Sequence, residues 1–237
     1  MFRKCLVGLA LAVAVTACPA WAYYVGWEGD CLPEEAGWTR QYGDWSGIPH
    51  GVGAIRTIQD GVMTMDSLYD PGVFDAAILH RAFNPAPGEL FVMEWRLAVD
   101  QVLGTRDPGV TLFSDDRWVV SFRYDGETVF SSFDPGWSAA VTPGEFHEYR
   151  MTSWDMRTYA FFVDGELVRE GPFSYGGGTS QLGWGDCVQG AASLHRWDYV
   201  RVFTIPEPNC LALCGAVFLW LARERRMSCF SGKERKW

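Results

Sequence analysis

The chain has 237 residues and a formal net charge of −9. Residues 23–204 are more acidic still, with 12 arginines, no lysine and 26 acidic residues, a net −14. Phosphate repels such a surface, which excludes a nucleic-acid-binding role, and the length suits one domain with a sizeable core.

At the N-terminus, Arg3 and Lys4 precede a charge-free apolar stretch over residues 5–17, and Ala20-Trp21-Ala22 follows the small-x-small rule. This reads as a secretory signal helix cut after Ala22. Two alternatives stand beside it. One is an anchor that is never cut. The other is a lipoprotein box at Val15-Thr16-Ala17-Cys18 with Cys18 acylated, against which Pro19 speaks.

Residues 23–49, rich in Gly, Trp and charge, are predicted as an N-terminal arm wrapping the domain that follows over 50–204. There, Gly and Pro recur every eight to twelve residues and no long segment has helical periodicity, so the domain is predicted all-β. Strands are expected at 53–58, 62–65, 76–83, 110–113, 128–133, 148–153, 181–184 and 194–203. The alternation is clearest in FVMEWRLAV, where Phe91, Met93, Trp95, Leu97 and Val99 share one side. RWVVSFRY repeats it with Trp118, Val120, Phe122 and Tyr124. Asp60-Gly61, Asp125-Gly126 and Asp164-Gly165 are two-residue hairpin signals. So many short strands imply two packed antiparallel sheets.

The chain ends differently. Pro206-Glu207-Pro208 precedes a thirteen-residue apolar run, 210–222, then Arg223, Arg225 and Arg226 and a basic tail over 227–237. As a helix the run spans about 20 Å, short of a hydrocarbon core of about 30 Å. Its flanks favour a membrane segment: the prolines fix a start, and the arginines hold the far end in the cytoplasm. Five of the seven cysteines fall in these end segments. Cys31 and Cys187 remain, an even pair that in an oxidising compartment reads as one disulfide; two free buried thiols are the alternative. His50, His80, His147 and His195 are scattered and form no zinc set.

Two resemblances follow. The Pro-Glu-Pro, apolar run and arginine cluster over 205–226 resemble the PEP-CTERM sorting signal, which implies an exosortase partner in the membrane and release to the cell surface or an exopolysaccharide matrix. The tail after the arginines departs from that pattern, and a plain C-terminal anchor is the alternative. HEYRMTSWDMRTYAFFVDGELV and RWDYVRV are similar to strands of concanavalin A-like jelly rolls, the fold of laminin-G-like modules, family 16 glycoside hydrolases and many sugar-binding domains. The family 16 resemblance implies two carboxylates on one strand face, about 5–5.5 Å apart for retaining hydrolysis. The matching strand here carries Val119, Ser121 and Arg123, or Val120 and Phe122 in the other register. From that we expect no enzyme and no required cofactor. The resemblance also implies a structural calcium at Asp198, with backbone carbonyls as co-ligands. The expectation is an exported, non-catalytic protein that binds extracellular polysaccharide or matrix, with Trp118, Trp137, Trp154 and Trp184 as stacking candidates. A structural surface protein without ligand is the first alternative and a diverged glycoside hydrolase the second.

Overall fold

In this computed structural model the described residues are 23–42, 55–68, 77–83, 88–104, 108–114, 118–134, 136–175, 180–186 and 192–206, all in one unit that ends at Pro206. The expected signal helix with Ala22, Cys187, and the sorting segment from Glu207 through Arg226 lie outside them. No helix occurs among the described residues.

Sixteen strands appear in chain order: β1 (Tyr23–Trp27), β2 (Thr39–Tyr42), β3 (Ile55–Gln59), β4 (Val62–Asp66), β5 (Ala77–Ala82), β6 (Glu89–Leu103), β7 (Gly109–Ser114) and β8 (Trp118–Tyr124). They continue with β9 (Thr128–Ser131), β10 (Ser138–Ala140), β11 (His147–Ser153), β12 (Thr158–Val163), β13 (Glu166–Pro172), β14 (Ser174–Tyr175), β15 (Gln181–Asp186) and β16 (Ala192–Pro206). They form two antiparallel sheets. The first runs β13-β12-β11-β6-β16-β4-β3, with β1 also on β16; the second runs β10-β9-β8-β7-β15-β5-β2, with β14 on β8. Hairpins of consecutive strands lie at the edges, while β6-β16, β11-β6, β16-β4, β7-β15 and β15-β5 join strands far apart in sequence, as a jelly-roll sandwich requires.

Alternation makes the elements. Phe91, Met93, Trp95, Leu97 and Val99 of β6 are all buried inward, opposite Val200, Val202 and Trp197 of β16. β6 and β16, 15 residues each, are the long spine of the first sheet. Asp60-Gly61 and Asp164-Gly165 both take positive φ (53° and 78°, 50° and 84°), the two-residue turn that matches strand twist. Asp125-Gly126 behaves differently. Only Gly126 has positive φ, and residues 125–127 form a three-residue loop held by Asp125 Oδ1, which accepts from the Thr128 N–H at 2.7 Å. The arm predicted over 23–49 contributes a strand to each sheet: β1 pairs with β16, and β2 pairs with β5.

The space between the sheets is filled by rings. Trp95, Phe122, Tyr149 and Phe161 occupy one half, with Phe122 stacked on Phe161 at 4.1 Å. Trp27, Trp38, Trp184 and Trp197 occupy the other, and Trp184 touches the remaining three at 5.3, 5.6 and 4.8 Å. Each large ring removes on the order of 150–250 Å² of surface from water, so these eight dominate the apolar burial.

Candidate functional site

Pleating gives each sheet an inner and an outer face, and functional side chains must sit on the outer faces or at the ends. On β8, Val120, Phe122 and Tyr124 point into the core, so Val119, Ser121 and Arg123 take the outer side. Cross-strand register places Ser121 beside Thr111, Thr111 beside Gly183, and Gly183 beside His80. The next row is Gly185, Gly109, Arg123 and Phe130. Thr111 Oγ1 and Ser121 Oγ are 2.8 Å apart, and Arg123 Nη2 donates to Thr111 Oγ1 at 3.3 Å. Arg123 lies across Gly109: a Cβ there would stand 2.1 Å from Nη1. Burial lowers the His80 pKa, which keeps its imidazole neutral near pH 7. The face is polar and buried, and β8 supplies no carboxylate to it. A retaining pair is therefore missing from the strand where the resemblance would put it.

The four tryptophan candidates are not brought together. Trp184 is fully buried among three other tryptophans, which leaves no ring face for a ligand. Trp137 is half-buried and packs on Phe122 and Phe161. Trp118 meets Tyr175 edge-on at 6.2 Å, with the Arg157 guanidinium 5.8 Å over its ring. Trp154 is the exposed one, at 53%. It lines a cavity of about 540 Å³ at the β11–β12 turn, with Thr152, Thr158, Ala160, Asp155 and Glu170. Burial alone would raise the Asp155 carboxyl, but donation from the Arg157 and Thr158 N–H groups and the Thr158 hydroxyl outweighs it and holds it below its usual range. Asp155 is thus an ionised turn-former. Glu170, on β13, projects to the same side as Ala160, its cross-strand partner. An exposed indole beside hydroxyls and carboxylates matches the stacking and hydrogen-bonding needs of a sugar ring. Glu170 and Tyr175 were absent from the sequence expectations; no motif marks them.

The outer face of the first sheet is a lattice of ion pairs. Arg150 Nε lies 2.8 Å from Glu94, Arg196 makes two 2.8 Å bonds to Asp100, and Arg201 binds Glu28 through Nε and Nη2 at 2.5–3.0 Å. Glu94, which looks isolated in the sequence, is thereby neutralised. Asp198 is the extra residue of a bulge between Trp197 and Tyr199, and its carboxylate pairs with Arg96. Its backbone carbonyl converges with that of Gly61 beside Gly29, where an added Cβ would lie 1.8 Å from Gly61 O and 2.7 Å from Asp198 O. Two carbonyls and one carboxylate are hard oxygens of the kind calcium takes, although Arg96 already holds the carboxylate. Cys31 is half-buried with a free thiol, and burial pushes its pKa up.

No protein-family model matches the chain, and no curated protein matches it. Solved structures do. One is described under endo-acting O-glycanases that prominent members of the human gut microbiota express to initiate mucin breakdown: TM-score 0.54, 10% identity, over 78% of this chain and 99% of that one. A Crh5 transglycosylase in complex with NAG gives 0.51 at 14%, over 80% and 87%. The cellulose induced protein Cip1 gives 0.50 at 11%, over 70% and 90%. The likeness shows the fold, a concanavalin A-like jelly-roll sandwich. The expectation that the chain is not an enzyme is corrected on this finding, because the structures it resembles are mostly glycoside hydrolases and transglycosylases. The error was one of scope. Val119, Ser121 and Arg123 remove one mechanism from one strand, and catalysis in a sandwich draws on more of the surface than that.

Proposed function

We propose that this chain is an exported, diverged glycoside-hydrolase-type sandwich that engages polysaccharide at the cell surface or in the extracellular matrix. The observation that carries the reading is Trp154, an exposed indole beside a cavity of about 540 Å³ lined by hydroxyls and by the Asp155 and Glu170 carboxylates. The signal at residues 1–22 and the Pro206-to-Arg226 segment support export and exosortase-type sorting, with the membrane as a transient or lasting anchor. A structural calcium beside Asp198 belongs to the same reading, supported by the carbonyls of Gly61 and Asp198 that meet at Gly29.

The test is a panel of extracellular polysaccharides scored for both retention and new reducing ends. Trp154→Ala is expected to weaken retention about tenfold, since base- or sugar-type ring stacking is worth on the order of 1–3 kcal/mol. Folded protein that neither binds nor cuts any glycan of the panel would remove this reading. On the metal, EGTA is expected to lower Tm and added calcium to restore it; an unchanged melt would remove calcium from the proposal.

A further inference from the structure

Arg123 is 8% exposed, and no carboxylate among the described residues pairs with its charge. Among the described residues its Nη2 reaches only a neutral hydroxyl, Thr111 Oγ1, and its buried Nη1 has no hydrogen-bond partner. Six other arginines among the described residues each hold a carboxylate: Arg56 with Glu34, Arg96 with Asp198, Arg150 with Glu94, Arg169 with Asp134, Arg196 with Asp100 and Arg201 with Glu28. With 26 acidic residues against 12 arginines over 23–204, an internal partner for Arg123 was easy to supply. A buried guanidinium without an anion is strongly unfavourable, and arginine cannot escape by losing its proton. The surroundings are shaped for it all the same. Gly109 yields the space that its Nη1 occupies, Gly183 and Gly185 hold the neighbouring positions free of side chains, and Thr111 and Ser121 fix one edge.

We propose that Arg123 receives the acid group of a glycan, a uronate carboxylate or a sulfate ester, on the outer face of the second sheet. The inference rests on the glycan reading above and adds the class of sugar. A planar fork of N–H donors grips two oxygens of such a group at once, and desolvation strengthens the pairing. The Thr111 and Ser121 hydroxyls offer a further donor to the oxyanion or to an adjacent sugar hydroxyl.

The experiment is a set of thermal melts of the exported chain at fixed ionic strength, with sodium chloride as the control. The ligands are a uronate-containing oligosaccharide, a sulfated oligosaccharide, a neutral gluco-oligosaccharide and inorganic sulfate. One of the two acidic oligosaccharides is expected to raise Tm by about 3–4 °C at tenfold over its Kd, and which one does so separates carboxylate from sulfate. Arg123→Met is expected to fold, since it removes an unpaired buried charge, and to lose that shift. Arg123→Lys keeps the charge without the fork and is expected to lose most of it. Acidic oligosaccharides that do no more than sodium chloride would overturn the proposal. So would a response that survives in Arg123→Met, or a response to inorganic sulfate alone. If the neutral oligosaccharide binds through Trp154 while the acidic ones add nothing, only the Arg123 inference falls; if no glycan binds, the broader reading falls with it.

Discussion

Replacing Trp95 by alanine is expected to leave the protein largely unfolded at room temperature. Trp95 is fully buried near the middle of β6 and touches three rings: Tyr149 at 5.8 Å, Phe161 at 5.9 Å and Phe122 at 6.0 Å. These rings come from β8, β11 and β12, so one side chain ties both sheets together. Truncating a buried Trp to Ala costs about 3–5 kcal/mol through lost transfer and the cavity left behind. A second loss adds to it. Trp95 Nε1 donates to the Tyr124 hydroxyl at 2.8 Å, and Tyr124 is itself wholly buried, which pushes its ionisation well above the ordinary range. Without Trp95 that hydroxyl loses its bond inside the core, for roughly another 1–3 kcal/mol. Together these approach the whole stability of a typical domain, about 5–15 kcal/mol. Trp95→Phe keeps most of the ring and loses the bond, so about 1–3 kcal/mol is expected, and pairing it with Tyr124→Phe should recover part of the loss. Urea unfolding followed by far-UV circular dichroism checks all three variants. A Trp95→Ala variant within 2 kcal/mol of the parent would show that the ring cluster is not what joins the sheets.

The same cluster shows how much of the fold the sequence reveals. In β6 the period of two is unbroken for nine residues, because one face is buried along its whole length and a slip of one position would turn every large side chain outward. The Asp60-Gly61 and Asp164-Gly165 turns are equally legible, since few residue pairs tolerate two positive φ angles in succession. β1 and β2 are not legible. Tyr23–Trp27 contains a glycine and Thr39–Tyr42 has only four residues, and both are strands because β16 and β5 offer them an edge. The tryptophans divide on a signal that was present. Trp184 sits in a strand between Gly183 and Gly185, so the ring must take the inner face and the glycines the outer. Trp154 follows Ser153, the last residue of β11, in a turn where no second sheet covers it. Composition treats the two alike; position separates them. Arg123 was visible as the polar member of an alternating strand, a pattern that ordinarily marks solvent, and its burial depends on contacts that no local pattern encodes.

Acidification is expected to destabilise the protein well before its carboxylates are neutralised, and His195 is the reason. Its side chain is fully buried on the inner face of β16, opposite Met65 of β4 and Val99 of β6 and edge-on to Trp197. Nδ1 lies 2.9 Å from Ser193 Oγ, and Nε2 has no hydrogen-bond partner among the described residues. Burial alone lowers the pKa from 6.5 to about 3. Between those values the unfolded chain binds a proton that the folded chain does not, so the stability from this group is complete above about pH 6.5 and is lost as pH falls toward 3. At 1.36 kcal/mol per unit the loss is about 2 kcal/mol by pH 5 and about 5 kcal/mol at full span. The paired carboxylates act lower on the scale. Arg201 holds Glu28, and Arg56 holds Glu34, below the ordinary 4.5, so their contribution persists until the pH drops through those depressed values. The window from pH 6.5 to 4.5 therefore belongs to the histidines, mainly to His195 and in smaller part to His80, whose pKa burial also lowers. His195→Leu removes both the titration and the unpartnered nitrogen, and it is expected to hold its neutral-pH stability within about 1 kcal/mol and to flatten the profile in that window. Urea midpoints measured at half-unit steps test it. A parent profile that is already flat from pH 6.5 to 4.5, or a His195→Leu profile as steep as the parent's, would mean that some other group carries the acid sensitivity.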